Sequence, residues 1–169
     1  MAISTVLVAV CATLSTFKGG GYSTKSLMNQ SKASDQWAVF QSKSIKSYMF
    51  EQQNATFELE FEKLQLQNAS VEILDKYQNK IESNSKKIKR YEVEKDSIKQ
   101  NARGFKDVSK ECQRHSGSFG FAVIFLQISI LLSSIAALTK KKYIWILSMV
   151  VAAFGIFYFI NGFFVFMVI

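Results

Sequence analysis

Proline is absent from this 169-residue sequence, histidine occurs once and cysteine twice. Without proline no position is obliged to interrupt a helix, so long uninterrupted helices are the natural expectation. The two cysteines, Cys11 and Cys112, lie far apart in sequence and make no disulfide framework. Glycine is scarce, and five of the eight (Gly19 to Gly21, Gly104, Gly117) stand at the edges of the polar midsection. No phosphate-cradling glycine loop, metal-ligand cluster or paired-carboxylate arrangement can be assembled from these residues. The expectation is therefore a protein that is not an enzyme and carries no cofactor or metal.

Charge is missing from two long stretches. Ser118 to Leu138 and Tyr143 to Ile169 contain no Asp, Glu, Lys or Arg, and only Thr139-Lys140-Lys141-Lys142 separates them. At about 1.5 Å per helical residue, each can cross about 30 Å of hydrocarbon. The short link makes them an antiparallel membrane hairpin. A third apolar run, Ala2 to Phe17, is short for a span. It has no basic n-region, and Val10 before Cys11 is too bulky for a lipoprotein cleavage site, so a retained first span is expected rather than a removed signal. Lys18 can snorkel from it. The expected organisation is a first span over 1–17, a polar insert over 18–117, a second span over 118–138, a basic loop over 139–142 and a third span over 143–169.

The net charge of +8 does not point to nucleic acid, because basic and acidic residues alternate along the midsection and no binding motif accompanies them. Lys18-Gly19-Gly20-Gly21 reads as a flexible exit from the membrane. Beyond it Leu27, Ser34, Trp37, Gln41, Ser44 and Tyr48 recur at helical steps, a seam in which polar Gln41 sets register. Phe57-Glu58-Leu59-Glu60-Phe61 alternates like a strand, but a lone strand has no partner here and helix is preferred. A second seam follows through Leu74, Tyr77, Ile81, Ile88, Tyr91, Ile98, Ala102 and Phe105, with Asn84 and Lys95 as polar interruptions.

The insert must leave the bilayer and return. A turn near Gln67 to Ser70, the weakest helix-forming stretch, divides it into two nearly equal arms, with Ser70 placed to cap the second. Turns at Gln53-Asn54 or Ser83 to Ser85 would leave unequal arms. The expected fold is thus an all-α membrane protein of three transmembrane helices, with an extramembrane antiparallel coiled-coil hairpin between the first and second.

Each chemical constellation has a plainer packing reading. Gln127 and Ser134 share a face of the second span, while Ser148, Ala152, Gly155 and Gly162 draw a small-residue track along the third. Helix packing is preferred for both, with a polar transport path through Gln127 and Ser134 as the alternative. Cys112 and His115, one turn apart beside Glu111, are read as a membrane-edge pair and not as a thiol or metal site. Lys86-Lys87-Ile88-Lys89-Arg90 is read as a solvated face broken by one seam position.

Two blocks, 32–38 (KASDQWA) with 41–46 (QSKSIK), and the terminal hairpin from Phe125 to Ser148 with its Thr139-Lys140-Lys141-Lys142-Tyr143-Ile144-Trp145 centre, carry a resemblance. The chain resembles the uncharacterised bacterial membrane family catalogued as domain of unknown function 4337. That resemblance implies three spans and a helical insert, in a bacterial inner membrane, and no established activity. The basic loop at Lys140 to Lys142 argues for a periplasmic insert. The expected role is a non-enzymatic structural or accessory subunit, in contact with the lipid bilayer, forming a homo-oligomer or joining a larger membrane complex. Trp37, Gln41, Tyr48, Ile81, Ile88 and Ile98 would carry the soluble helix contacts. A channel or transporter component is the alternative.

Overall fold

The computed structural model of the chain describes residues 2–166. Three helices account for nearly all of them: α1 (Ala2–Leu66), α2 (Val71–Thr139) and α3 (Lys142–Phe164), with no strand among the described residues. The alternating stretch from Phe57 to Phe61 lies inside α1. Each helix contains a window long and apolar enough to cross a membrane, which makes this a multi-pass membrane protein.

The helices end where local chemistry stops them. At the end of α1, Asn68 has φ 53, a left-handed conformation that asparagine tolerates better than most residues. The amide of Asn68 donates to the carbonyl of Gln65 (3.2 Å), and that of Ala69 reaches back to Leu64 (3.1 Å). This is a Schellman closure with asparagine in the place usually taken by glycine. The carbonyl of Ser70 then accepts from Ile73 and Leu74 and starts α2. Gln53-Asn54 and Ser83 to Ser85 lie within helices. Between α2 and α3 only Lys140 and Lys141 stand outside helix, and Lys140 turns the chain with φ 54.

One expectation is overturned. Lys18-Gly19-Gly20-Gly21 is continuous helix within α1, not a flexible exit. A glycine inside a helix costs roughly 0.5–1 kcal/mol relative to alanine, but helix propagates cheaply once nucleated on both sides. Gly19 also has a packing reason to be glycine: a Cβ there would lie 3.0 Å from the Cβ of Phe119. Likewise the limits drawn at 17/18 and 117/118 are changes of composition along α1 and α2, not helix ends.

The chain divides into two compact units, one of the residues up to Gln30 with those from Lys106 onward, the other Ser31–Phe105. In the first, Val8 and Ala12 of α1, Ala122 and Leu126 of α2 and Ala152 of α3 form the core, with Cys11, Ile130, Tyr158 and Phe159 packed around it. Three of those five are alanines. In hydrocarbon there is no water to expel between helices, so close backbone approach and hydrogen bonds must supply the attraction.

In the Ser31–Phe105 unit the two arms run antiparallel: Lys43 meets Glu94, Ser47 meets Glu92, Asn54 meets Ser85 and Phe57 meets Tyr77. Buried and half-buried positions on the first arm fall at Ala33, Gln36, Trp37, Phe40, Lys43, Ser44, Ser47, Phe50, Asn54, Phe57, Phe61 and Leu64. Opposite them the row from Leu74 through Tyr77, Ile81, Asn84, Ile88, Tyr91, Lys95 and Ile98 to Phe105 is withdrawn from solvent in the same three-and-four rhythm. Of the first-arm row the spacing suggested, Trp37 and Ser44 are half-buried, while Ser34, Gln41 and Tyr48 are exposed, each one residue after an inward position (Ala33, Phe40 and Ser47). Leu27 and Tyr48 are 65% and 60% exposed, and Gln41 is exposed too. Adjacent rows of a helix are only about 100° apart, and here the row carrying Phe40, Phe50 and Phe57 turns inward.

Candidate functional site

The most specific chemistry in the first unit is a set of contacts that lock one helix backbone against another. Ser26 of α1 and Ser109 of α2 are both buried, and each hydroxyl donates to the other residue's carbonyl at 2.9 Å. The same reciprocal clasp recurs between α2 and α3: Ser129 donates to the carbonyl of Ser148 (3.0 Å) and Ser148 to that of Ser129 (2.8 Å). Only a short side chain can do this, since the carbonyl it reaches is already bonded within its own helix and accepts through its second lone pair. Such a clasp requires the two backbones to approach closely.

Glycines provide the rest of that approach. A Cβ on Gly155 would stand 2.7 Å from the Leu126 side chain and 3.1 Å from its backbone nitrogen. A Cβ on Gly162 would stand 2.8 Å from the ring of Phe119. Phe119, fully buried, thus fits between Gly19 of α1 and Gly162 of α3, with Phe159 and Phe163 edge-on to its ring. Beside it Asn161 donates to Ser118 (3.1 Å), and Ser116 donates to the carbonyl of Gly19 (3.0 Å).

His115 completes this corner. Its ring stacks on Tyr22 at 4.6 Å, and Nδ1 lies 2.8 Å from the carbonyl of Gly162. That carbonyl belongs to the last turn of α3, where helical partners run out, so the Nδ1–H of His115 caps α3 from α2. Cys112, one turn earlier, is a buried free thiol. No group of three His, Cys, Asp or Glu side chains placed to hold a metal occurs among the described residues.

Of the residues singled out in the spans, Ser148, Ala152 and Gly155 are buried in the first unit, and Ser148 and Gly155 meet α2. Gln127 and Ser134 are exposed. Ser134 donates to the carbonyl of Ile130 on its own helix, and Gln127 lines an open groove with Ala9, Ala12, Thr13, Thr16, Phe17 and Ile130. The structure therefore does not bring Gln127 and Ser134 to the α2–α3 contact. Ser129, Ser118 and Asn161 supply its polar groups. Sequence spacing missed Ser129, whose signal was a small residue in step with the track on α3.

In the Ser31–Phe105 unit, Ile81, Ile88 and Ile98 are half-buried between the arms, as is Trp37, edge-on to Phe40. Gln41 and Tyr48 face away. The polar centre is a ladder. Lys43 pairs with Glu94 (2.6 Å), Lys95 and Ser47 both reach Glu92 (2.5 and 3.2 Å), and Asn54 donates to Ser85 (3.1 Å) and the carbonyl of Ile81 (3.3 Å). The Lys95 bond holds the Glu92 carboxyl below the usual carboxylate range, and Lys43 does the same for Glu94. Lysines also lie over the aromatic rings, Lys87 over Phe50 at 4.8 Å and Lys43 over Tyr91 at 5.0 Å. The run from Lys86 to Arg90 is thus divided: Ile88 enters the seam, Lys87 covers Phe50, and Lys86 and Arg90 pair with Glu82 and Glu94.

The Ser26–Ser109 and Ser129–Ser148 clasps, the bonds of His115, Ser116 and Asn161, and the Lys43–Glu94, Ser47–Glu92 and Asn54–Ser85 pairs each join one helix to another. Comparison with curated proteins and with solved structures returns no match. The family profile described as Domain of unknown function (DUF4337) matches residues 1–165, so the chain belongs to that family.

Proposed function

We propose that this protein is a non-enzymatic membrane subunit that acts by assembly, its spans packing in a bacterial plasma membrane and its insert forming an antiparallel coiled-coil hairpin that meets partners on the periplasmic side. One observation carries the reading: large apolar side chains of the insert, Ile45, Tyr48 and Leu59 among them, stand 60–69% exposed although the arms already have a full seam between them. Apolar surface left outside the lipid in this way marks an interaction site. Trp37, Ile81, Ile88 and Ile98 hold the hairpin's arms together, Gln41 and Tyr48 belong to its outer contact, and Ser148, Ala152 and Gly155 hold the spans. Sizing the detergent- or nanodisc-embedded protein tests this. An oligomer or a stoichiometric co-purifying subunit is expected, and a strictly monomeric particle without a companion refutes it.

A second reading, a channel or transporter component, is favoured by Gln127, an amide exposed in a groove within the apolar part of α2. An amide in hydrocarbon calls for a partner or a polar path. Gln127 would then line that path with Ser134. Replacing Gln127 with Leu separates the readings: unchanged solute flux into liposomes removes the path.

A further inference from the structure

The two outer faces of the insert are built differently. On the second arm, the face pointing away from the seam carries the charged residues Asp75, Glu82, Lys86, Lys89, Asp96 and Arg103, all exposed, with uncharged Asn79 and Gln100 and a single apolar residue, Val93 (72% exposed), in the same row. That is how a helix looks when water covers it. The corresponding face of the first arm reads Ala38, Gln41, Ile45, Tyr48, Ala55 and Leu59, also exposed, in alternating steps of three and four completed by Gln52. No charged residue falls on that row between Ala38 and Leu59, although Lys43, Lys46, Glu51 and Glu58 occur in the same stretch. The first arm thus has two rows in heptad spacing, one against the second arm and one facing out.

We propose that this outer row is where a second copy of the same chain docks, first arm against first arm, parallel and in register. Three features commit the row to that occupant. An uncharged face meets its own copy without like-charge repulsion, as a two-fold interface requires. A 3.5-residue repeat keeps one side of a helix on a parallel neighbour over several turns, and Gln52 within the row meets its own counterpart only in register. In both copies the insert follows the same apolar window in the chain, so their first arms start from the same face of the bilayer. The uncharged row ends at Leu59, its next step being Glu62; there Glu58 stands beside Leu59 and Lys63 beside Glu62, five residues apart, the spacing at which flanking residues of two parallel helices pair.

This inference rests on the assembly reading, and its test separates the two. Full-length protein with Cys11→Ser and Cys112→Ser receives single cysteines in native membranes, followed by mild oxidation. Ile45→Cys and Leu59→Cys should give disulfide-linked dimers at least about tenfold above Lys46→Cys on the flank and Lys89→Cys on the second arm, because a disulfide forms only across Cα distances of about 4–7 Å. Co-expressed Ile45→Cys and Leu59→Cys chains should form only like-with-like dimers. Mixed dimers in excess overturn the parallel arrangement. Dimers through Lys89→Cys, or none at the row while sizing still shows an oligomer, overturn this surface and leave assembly standing. A monomer by sizing overturns both. As a check independent of cysteine chemistry, Ile45→Lys should shift the particle toward monomer with the helical signal unchanged, and Lys89→Glu should not; unshifted Ile45→Lys refutes the docking row.

Discussion

Replacing Gly155 with alanine tests the close-approach account of the spans most directly. The added methyl would lie 2.7 Å from Cγ and Cδ2 of Leu126 and 3.1 Å from its backbone nitrogen. Carbon atoms rest at about 3.5–4.0 Å, so something must give by most of an ångström. Rotating Leu126 away costs about 0.5–1.5 kcal/mol of rotamer strain, and it does not relieve the backbone contact. Moving α3 outward instead stretches the Ser129–Ser148 clasp, whose bonds are now 3.0 and 2.8 Å. Overpacking of this kind costs typically about 1–3 kcal/mol, against which alanine returns roughly 0.5–1 kcal/mol of helix preference. Set against each other, the two leave a net destabilisation of roughly 0–2.5 kcal/mol, centred on about 1 kcal/mol. Gly120→Ala is the control, since a Cβ there meets nothing within 4 Å. Thermal unfolding of both variants in one detergent, followed by far-UV circular dichroism, decides the matter. Adding Leu126→Ala should lessen the penalty of the alanine at 155, a coupling that a double-mutant cycle reads out. If Gly155→Ala melts at or above Gly120→Ala, the tight α2–α3 contact is refuted.

The same reasoning predicts that Gly20→Ala and Gly21→Ala, which add a Cβ into open space on a continuous helix, stabilise by roughly 0.5–1 kcal/mol each, while Gly19→Ala does not because of Phe119; chemical unfolding in mild detergent ranks the three. Replacing His115 with phenylalanine keeps a ring against Tyr22 but removes the bond to Gly162, costing roughly 0.5–1.5 kcal/mol and loosening the end of α3, visible as faster amide exchange there. Glu92 and Glu94 have carboxyls held below their ordinary value, so the stability they contribute is present above about pH 4.5 and is lost as pH falls through their lowered values. The helical signal of the full protein should therefore be flat through neutral pH and weaken only in acid, and a loss beginning near pH 6 would contradict that assignment. Asn54 is buried with Oδ1 unpartnered, so Asn54→Leu should raise the unfolding temperature while relaxing the register of the arms, read from the spread of spin-label distances across them.

The chain's sequence is sufficient for its helices. A sequence without proline and with three apolar windows has few alternatives to long helices crossing a membrane, because backbone groups in hydrocarbon must bond internally. The stop at Asn68 is also local chemistry: one residue that accepts a left-handed φ, set among weak helix formers. The second-arm row from Leu74 to Phe105 is legible because its large apolar residues have no competing row beside them; its neighbours are mostly charged or polar, with Ile73 and Val93 as isolated exceptions. Tertiary structure decided what happens where two rows compete. On the first arm both the Phe40–Phe50–Phe57 row and the Ile45–Tyr48 row look able to face inward, and only the presence of the opposing arm selects the first. In the spans, Ser148 is legible as a packing residue from its small-residue track, but its partner Ser129 is not, because a reciprocal clasp depends on the distance between two backbones. Gly19 to Gly21 make the same point: three glycines read as a hinge until Phe119 and the helix on either side are in place, and then they are one more turn of α1.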